Sequence, residues 1–221
     1  MTRKKTDSLQ RVLEVATDFF IRQRFDDVSM AGIAKAARCS TTTMYEVYGG
    51  KEQLFMAALE KLLHPAPLVR SAGMTAFAQL LATAQARIEV MSVPRTRGMI
   101  MAIMRGPDPL RERYGEVIAA SRKAVRQELY AAIESAVAAG RLRPLPAEVV
   151  LDNFFAVTAY EPMLLALLED IDFPSSPSRL LRSLFVPLVT EAGRYELEML
   201  LESSAQDQAS KARSAAINAT G

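Results

Sequence analysis

Two short helix patterns separated by three residues constrain the fold more than any other feature of this sequence. Ser29 and Ser40 each stand immediately before an apolar-periodic stretch, and serine is a favoured N-cap residue. The first stretch predicts a helix ending at Ala37, and the second predicts a helix ending by Tyr48, where a glycine pair follows. Two short helices with so tight a connection are typical of a helix-turn-helix.

Helices are also predicted on both sides of this pair. Apolar residues at a spacing of 3–4 predict one helix from Ser8 to Arg24 and another from Lys51 to about His64, where two prolines follow. We therefore expect a small domain of short helices over residues 1–64.

Longer helices are predicted after Pro67. They span Thr75 to Met91, Arg95 to Arg105, Leu110 to Ala139, Ala147 to Asp170 and Arg179 to Ser203. Gly140 is expected just past the end of the third of these, and Pro162 and Pro187 are expected to kink the last two. We predict an all-α fold, with a larger helical domain over 65–204 and a disordered tail over 205–221.

Composition excludes several classes of function. The formal net charge is +2, so nucleic-acid binding would have to come from local placement of charge. The N-terminal residues lack the apolar region of a secretory signal, no stretch is apolar enough to span a bilayer, and a single cysteine makes the cytoplasm the expected compartment. One histidine and one cysteine give no common metal-site spacing, and no nucleophile–base set is present, so neither enzyme activity nor a cofactor is expected.

The first quarter of the chain resembles the N-terminal domain of the TetR family of bacterial transcriptional regulators. The resemblance rests on "ATDFFIRQRFDDVSMAGIAKAARCS" and "TTTMYEVYGGKEQLF". The matching residues are Phe20, Phe25, Ser29, Ile33, Ala34, Ala37, Ser40, Thr43, Met44, Tyr45, Tyr48, Lys51, Glu52, Leu54 and Phe55. Arg24 and Arg38 replace the family's usual glycines at expected left-handed positions, where a side chain costs roughly 1–2 kcal/mol.

Residue types in and around the second short helix suit DNA. Thr41, Thr42 and Thr43 form its first turn, where a recognition helix presents side chains to base edges. We expect phosphate contacts from Tyr45, from Lys51 and Ser29 at helix N-termini, and from a flexible basic arm with Lys4 and Lys5. A threonine run alone is more often a polar surface turn; here the surrounding pattern favours DNA contact. Tyr48 is expected in the core, and Cys39 in a small apolar slot.

The resemblance also implies roles for the larger domain. A methionine- and aromatic-rich cavity would hold an apolar or amphipathic effector, with a pocket predicted at Phe77, Met99, Met104, Tyr114, Phe154 and Tyr160. A homodimer would form through the last two helices, with an interface predicted at Leu164, Leu168, Leu181, Leu184, Phe185 and Leu188. The dimer would bind a palindromic operator, and the effector would release it, so the predicted function is that of a repressor.

Two alternatives remain open at this point. One is an all-helical small-molecule enzyme, which would need a proton-transfer group in the pocket. The other is a DNA-binding dimer without a ligand, which a thermal-stability screen against a compound library would distinguish from a ligand sensor.

Overall fold

The computed structural model describes residues 3–63, 68–160 and 177–219. Apart from one isolated antiparallel bridge between Leu142 and Val189, the regular structure of these residues is helical. The helices are α1 (Arg3–Arg22), α2 (Met30–Ala37), α3 (Thr41–Tyr48), α4 (Lys51–Leu63), α5 (Ala76–Ser92), α6 (Pro94–Met104), α7 (Asp108–Ala138), α8 (Ala147–Phe155), α9 (Pro177–Phe185) and α10 (Glu191–Ala219). The all-α prediction is confirmed. Over these ranges, no helix has the length and apolarity needed to cross a membrane.

The chain forms two compact units that are not consecutive in sequence. Among the described residues, the first unit contains 3–63 together with Glu89–Ala124, so α6 and the beginning of α7 pack with the four N-terminal helices. An aromatic cluster lies at its centre: the Phe20 ring lies 4.8 Å from Phe55 and 5.9 Å from Phe25, between ring centroids. These fully or nearly fully buried rings tie the end of α1 to α4 and to the turn that precedes α2.

α6 is held closely against α1. A Cβ atom on Gly98 would lie 2.9 Å from the Cγ2 of Ile21, so only glycine allows this approach without displacing Ile21. Arg95 donates to the Glu14 carbonyl at 2.5 Å and pairs with the Asp18 carboxylate at 3.0 Å. The first unit therefore extends beyond the helix-turn-helix, and α6 supports the C-terminal half of α1.

The second unit contains the described residues 68–88, 125–160 and 177–219. Phe77 and Phe185 are fully buried, with an edge-to-face contact at 5.4 Å. α7 ends at Ala138, and Gly140, just past its end, has the predicted left-handed conformation at φ +67°. The Arg143 amide then donates to the Leu188 carbonyl at 2.8 Å. The connection after α7 is therefore pinned to the segment that leads into α10.

The C-terminal half differs from the sequence prediction at Pro187 and after Phe155. Pro187 does not kink one helix but lies in a turn between α9 and α10, and Thr190 caps α10 by accepting from the Gly193 amide at 3.1 Å. The helix from Ala147 leaves α-geometry at Ala156, where a π-helical segment (Ala156–Tyr160) begins; Pro162 lies outside the described residues.

The segment predicted as a disordered tail, 205–221, is helical as far as Ala219. It lacks glycine and proline before that point and is rich in alanine. Intrinsic helix propensity therefore extends the helix into a segment that has no sustained apolar face.

Candidate nucleic-acid interface

Serine caps position the two short helices. The Ser29 Oγ accepts from the Gly32 amide at 3.0 Å, and the Ser40 Oγ accepts from the Thr43 amide at 3.0 Å. Both N-caps and both helix bounds are those that the sequence predicts. Because the signals are local side-chain-to-backbone hydrogen bonds, they can be read from the residues themselves.

The turn between α2 and α3 contains a strained residue. Arg38 has φ 54° and ψ 47°, and it is the one non-glycine residue with positive φ in the described chain. Its predicted left-handed conformation is confirmed. The same prediction for Arg24 is wrong: Arg24 is extended at φ −65° and ψ 147°. α1 ends two residues earlier, at Arg22, so Arg24 leads into the 3-10 turn Phe25–Asp27 instead of closing the helix.

One side of α3 faces the core of the first unit. Met44 is fully buried, and the half-buried Tyr48 donates its hydroxyl to the Leu9 carbonyl of α1 at 3.2 Å. Burial, and secondarily the nearby Cys39, raises the pKa of the Tyr48 phenol above its ordinary value. Tyr48 is therefore a core residue, as predicted, and it fixes the rotation of α3 about its axis.

The opposite side of α3 is open to solvent. Thr41 and Thr42 are exposed, and Tyr45 is 51% exposed. Glu46, which the sequence prediction did not single out, is exposed on the same side as Thr42, because residues four apart lie on one helix face. The short helix thus offers hydroxyls, a phenol and a carboxylate on its outer surface.

Thr43 lies at the edge of this surface. It is half-buried, and its hydroxyl lies 2.8 Å from the Ser40 Oγ. The Ser40 hydroxyl thus contacts both the amide and the hydroxyl of Thr43. The Thr43 hydroxyl therefore has a hydrogen-bond partner within the protein.

Lys51 is anchored to the turn before α2. Its ammonium donates to the carbonyls of Phe25 at 2.8 Å and Asp26 at 3.3 Å, and lies 4.6 Å from the centroid of the Phe25 ring. Contacts to two carbonyls leave an ammonium with a further N–H. Lys51 therefore connects the start of α4 to this turn, a contact between residues 26 positions apart.

The basic residues at the start of the chain are placed differently from the prediction. Lys4 and Lys5 belong to the first turns of α1, which begins at Arg3, so their backbone is helical and not a flexible arm. Their side chains lie outside the described part.

Comparison with known proteins decides the class of this domain. Residues 12–58 match the family described as bacterial regulatory proteins, tetR family. Residues 12–58 form a tetR-family domain. No curated protein matches the chain significantly.

Solved structures extend the similarity to the whole fold. The chain is similar to a TetR-family transcriptional regulator from Mesorhizobium loti MAFF303099, with 18% identity, a TM-score of 0.61 and coverage of 92% of this chain and 98% of that one. A TetR transcriptional regulator from Agrobacterium tumefaciens has 18% identity, a TM-score of 0.64, and coverage of 87% and 99%. NalD, the secondary repressor of the MexAB-OprM multidrug efflux pump in Pseudomonas aeruginosa, has 16% identity, a TM-score of 0.66, and coverage of 84% and 98%. With its tetR-family domain, this fold supports a DNA-binding regulator.

The predicted effector residues are distributed over both units. Phe77 and Phe154 are buried in the second unit. Met99 is fully buried in the core of the first unit, which α6 shares with the tetR-family domain. The half-buried Tyr114 packs against that core, and burial raises the pKa of its phenol. Met104 is 49% exposed. The Tyr160 side chain lies outside the described residues.

The described leucines of the predicted dimer stripe lie inside the protomer. Leu181, Leu184, Phe185 and Leu188 are each at most 4% exposed in the single chain. Their side chains are therefore core residues of the second unit and are not available to a partner in this conformation. Leu164 and Leu168 lie outside the described residues.

An open groove of about 710 Å³ lies on the second unit. It is lined by Thr75, Arg141, Glu191, Ala192, Tyr195, Glu196 and Met199. Glu196 accepts from Arg141 at 2.5 Å and from Thr75 at 2.5 Å, while Tyr195 and Met199 are 73% and 53% exposed. These two apolar side chains, four residues apart on α10, were not identified from the sequence because they fall outside the longer leucine stripes.

Proposed function

We propose that the chain is a transcriptional repressor that binds a palindromic operator as a homodimer and is released by a small apolar or amphipathic effector. The observation that carries this proposal is the orientation of α3 within a tetR-family domain. Met44 and Tyr48 hold one side of the helix to the core, and Thr41, Thr42 and Tyr45 are left outside. A helix that exposes its first turn in this way can insert that turn into a major groove.

Base contacts and phosphate contacts are assigned to different residues. Thr41 and Thr42 reach base edges, and Thr43 contributes at the edge of the same surface while it supports the cap. Tyr45, Ser29 and Lys51 contact phosphates, helped by the helix N-termini of α2 and α4, and Lys4 and Lys5 add basic charge. For Lys51, the anchoring contacts to the carbonyls of Phe25 and Asp26 position an ammonium that still has an N–H for a phosphate.

Selection of bound sequences from random duplexes tests this proposal. A dimeric tetR-family regulator should enrich a motif with two-fold symmetry, because each protomer presents one copy of α3. Enrichment of a single asymmetric site would count against the dimeric reading, and binding without any enriched motif would count against sequence-specific regulation.

A second copy of this chain is the proposed occupant of the exposed apolar surface on α10. Tyr195 and Met199 are large, exposed and a helical turn apart, and tyrosine and methionine are enriched in the buried cores of protein interfaces. The leucines first predicted for this role are interior, so the surface of α10 is the better candidate among the described residues.

Release by an effector completes the proposal. Of the side chains predicted for the effector, Phe77 and Phe154 supply buried aromatic surface in the second unit, and the effector is proposed to bind there. Repression is proposed as the direction of regulation by analogy with NalD, which has the same fold. A thermal-stability screen with apolar and amphipathic compounds tests for an effector. If no compound stabilises a protein that still binds its operator, the DNA-binding dimer without a ligand is the correct alternative.

A further inference from the structure

Glu46 lies at the centre of the outer face of α3. Successive helical residues are rotated by about 100°, which places Glu46 about 160° away from each of the two inward directions set by Met44 and Tyr48. Thr42 precedes it by one turn on the same face and is also exposed. Any DNA that contacts Thr42 therefore also faces Glu46.

Glu46 is also the one formally charged residue of α3, whose sequence is TTTMYEVY. It is exposed, and within the described ranges its carboxylate has no hydrogen-bond or ion-pair partner. A carboxylate placed in a groove between two phosphate backbones is repelled by them. Its presence on a DNA-reading surface therefore lowers affinity for most sequences unless a base offers it a hydrogen-bond donor.

We propose that Glu46 is a specificity-determining residue that accepts a hydrogen bond from the N4 amino group of a cytosine in each half-site. This inference rests on the proposed function and adds to it. In the major groove guanine presents acceptors, and thymine presents an acceptor and a methyl group. Neither base offers a hydrogen-bond donor to a carboxylate. Adenine places an acceptor beside its amino group. Cytosine alone presents a donor without that neighbour, so Glu46 selects cytosine mainly by rejecting the other bases.

The geometry of α3 also predicts where the cytosine lies. Residues four apart are separated by about 6 Å along a helix axis, and base pairs are stacked about 3.4 Å apart. The cytosine is therefore expected within about two base pairs of the base that Thr42 contacts.

Selection from random duplexes, repeated with Glu46 variants, tests the inference. Wild-type protein should enrich one cytosine per half-site, and Glu46→Gln should replace it with adenine, because an amide pairs with both N6 and N7 of adenine. Glu46→Ala should lose discrimination at that position and bind scrambled duplexes more tightly. Glu60→Gln is the matched control, since Glu60 is exposed on α4, and it should leave the motif unchanged. Substituting the cytosine should weaken wild-type binding by roughly 5- to 150-fold, the usual effect of one mismatched base pair in a site.

The outcomes separate this inference from the function on which it rests. A symmetric wild-type motif that is the same in Glu46→Gln and Glu46→Ala would overturn the role of Glu46 and leave the regulator intact. A wild-type protein that selects no motif would overturn both. Circular dichroism of each variant confirms that the exposed substitutions leave the helices folded.

Discussion

Lys51 shows at the residue scale how a residue proposed to bind phosphate can also have a structural role. Its ammonium contacts the Phe25 ring and the carbonyls of Phe25 and Asp26. The sequence predicts Lys51 at the start of α4, but it cannot show a contact with a turn 26 residues earlier, because that contact depends on the packing of α4 against α1.

Replacing Lys51 with methionine should destabilise the protein as well as weaken DNA binding. Lys51→Met keeps the aliphatic stem and removes the charged hydrogen bonds, which are worth about 1–3 kcal/mol. Lys35→Met, at an exposed position of α2, should change the free energy of unfolding much less. Denaturant unfolding of both variants measures the difference, and equal stability would mean that the Lys51 contacts contribute nothing.

Glycine substitutions at Arg38 and Arg24 are expected to have opposite effects on stability. Arg38 is left-handed at φ 54°, whereas Arg24 is extended at φ −65°. Arg38→Gly relieves strain of roughly 1–2 kcal/mol, which outweighs the entropy of about 0.4–1 kcal/mol that glycine adds to the unfolded chain. Arg24→Gly adds only that entropy. The melting temperature of Arg38→Gly should therefore equal or exceed that of wild type, and the melting temperature of Arg24→Gly should be lower. The reverse order would contradict the conformations assigned to the two residues.

At the scale of the helices, local signals predicted more than long-range ones. The bounds of α2 and α3 follow from Ser29, Ser40 and the glycines after Tyr48, because each acts within a few residues of itself. The break at Pro187 could not be told from a kink, since the turn there is secured by hydrogen bonds to the distant residues 140–143. The π-helical segment that follows Phe155 has no sequence signature of this kind.

Gly193 marks a contact between elements that a side chain would disrupt. A Cβ on Gly193 would lie 2.0 Å from the Arg141 carbonyl oxygen, which is backbone and cannot rotate away. Gly193→Ala should therefore cost at least about 1–3 kcal/mol, the usual cost of overpacking. Gly115→Ala is the matched control: it lies in the interior of α7 with no atom within 4 Å of the added Cβ, so it should stabilise by about 0.5–1 kcal/mol. Chemical denaturation of both variants measures the sign of the change in the free energy of unfolding. A Gly193→Ala variant with unchanged stability would show that α10 does not approach this turn as closely as described.

At the scale of the whole molecule, the leucine stripes illustrate a limit of sequence reading. Leu184 and its neighbours were predicted as a dimer surface, yet they are buried within one chain. Core and interface positions have the same apolar periodicity, so only the folded chain separates them. The predicted pocket was subject to the same ambiguity, since Met99 is a core residue beside the tetR-family domain.

The proposed homodimer has a direct test on α10. Introducing charge with the double substitution Tyr195→Glu and Met199→Glu should shift the protein to monomer, because carboxylates buried in an interface are strongly unfavourable. Tyr130→Glu alters another exposed aromatic, on α7, and should leave the dimer unchanged. Sedimentation velocity distinguishes the species. A dimer that persists in the double variant would place the interface elsewhere.

The proposed contact between the outer face of α3 and base edges can be measured through the affinity of Thr42→Ala for operator and scrambled duplexes at several salt concentrations. Base contacts discriminate between sequences, whereas phosphate contacts set the salt dependence. If Thr42 contacts a base edge, Thr42→Ala should lower the free-energy preference for operator over scrambled duplex by about 1–3 kcal/mol and leave the salt slope unchanged. Ser203→Ala, an exposed change on α10, should alter neither quantity. A Thr42→Ala protein that keeps its full operator preference, or loses affinity equally for both duplexes, would contradict the assignment of α3 as the reading helix.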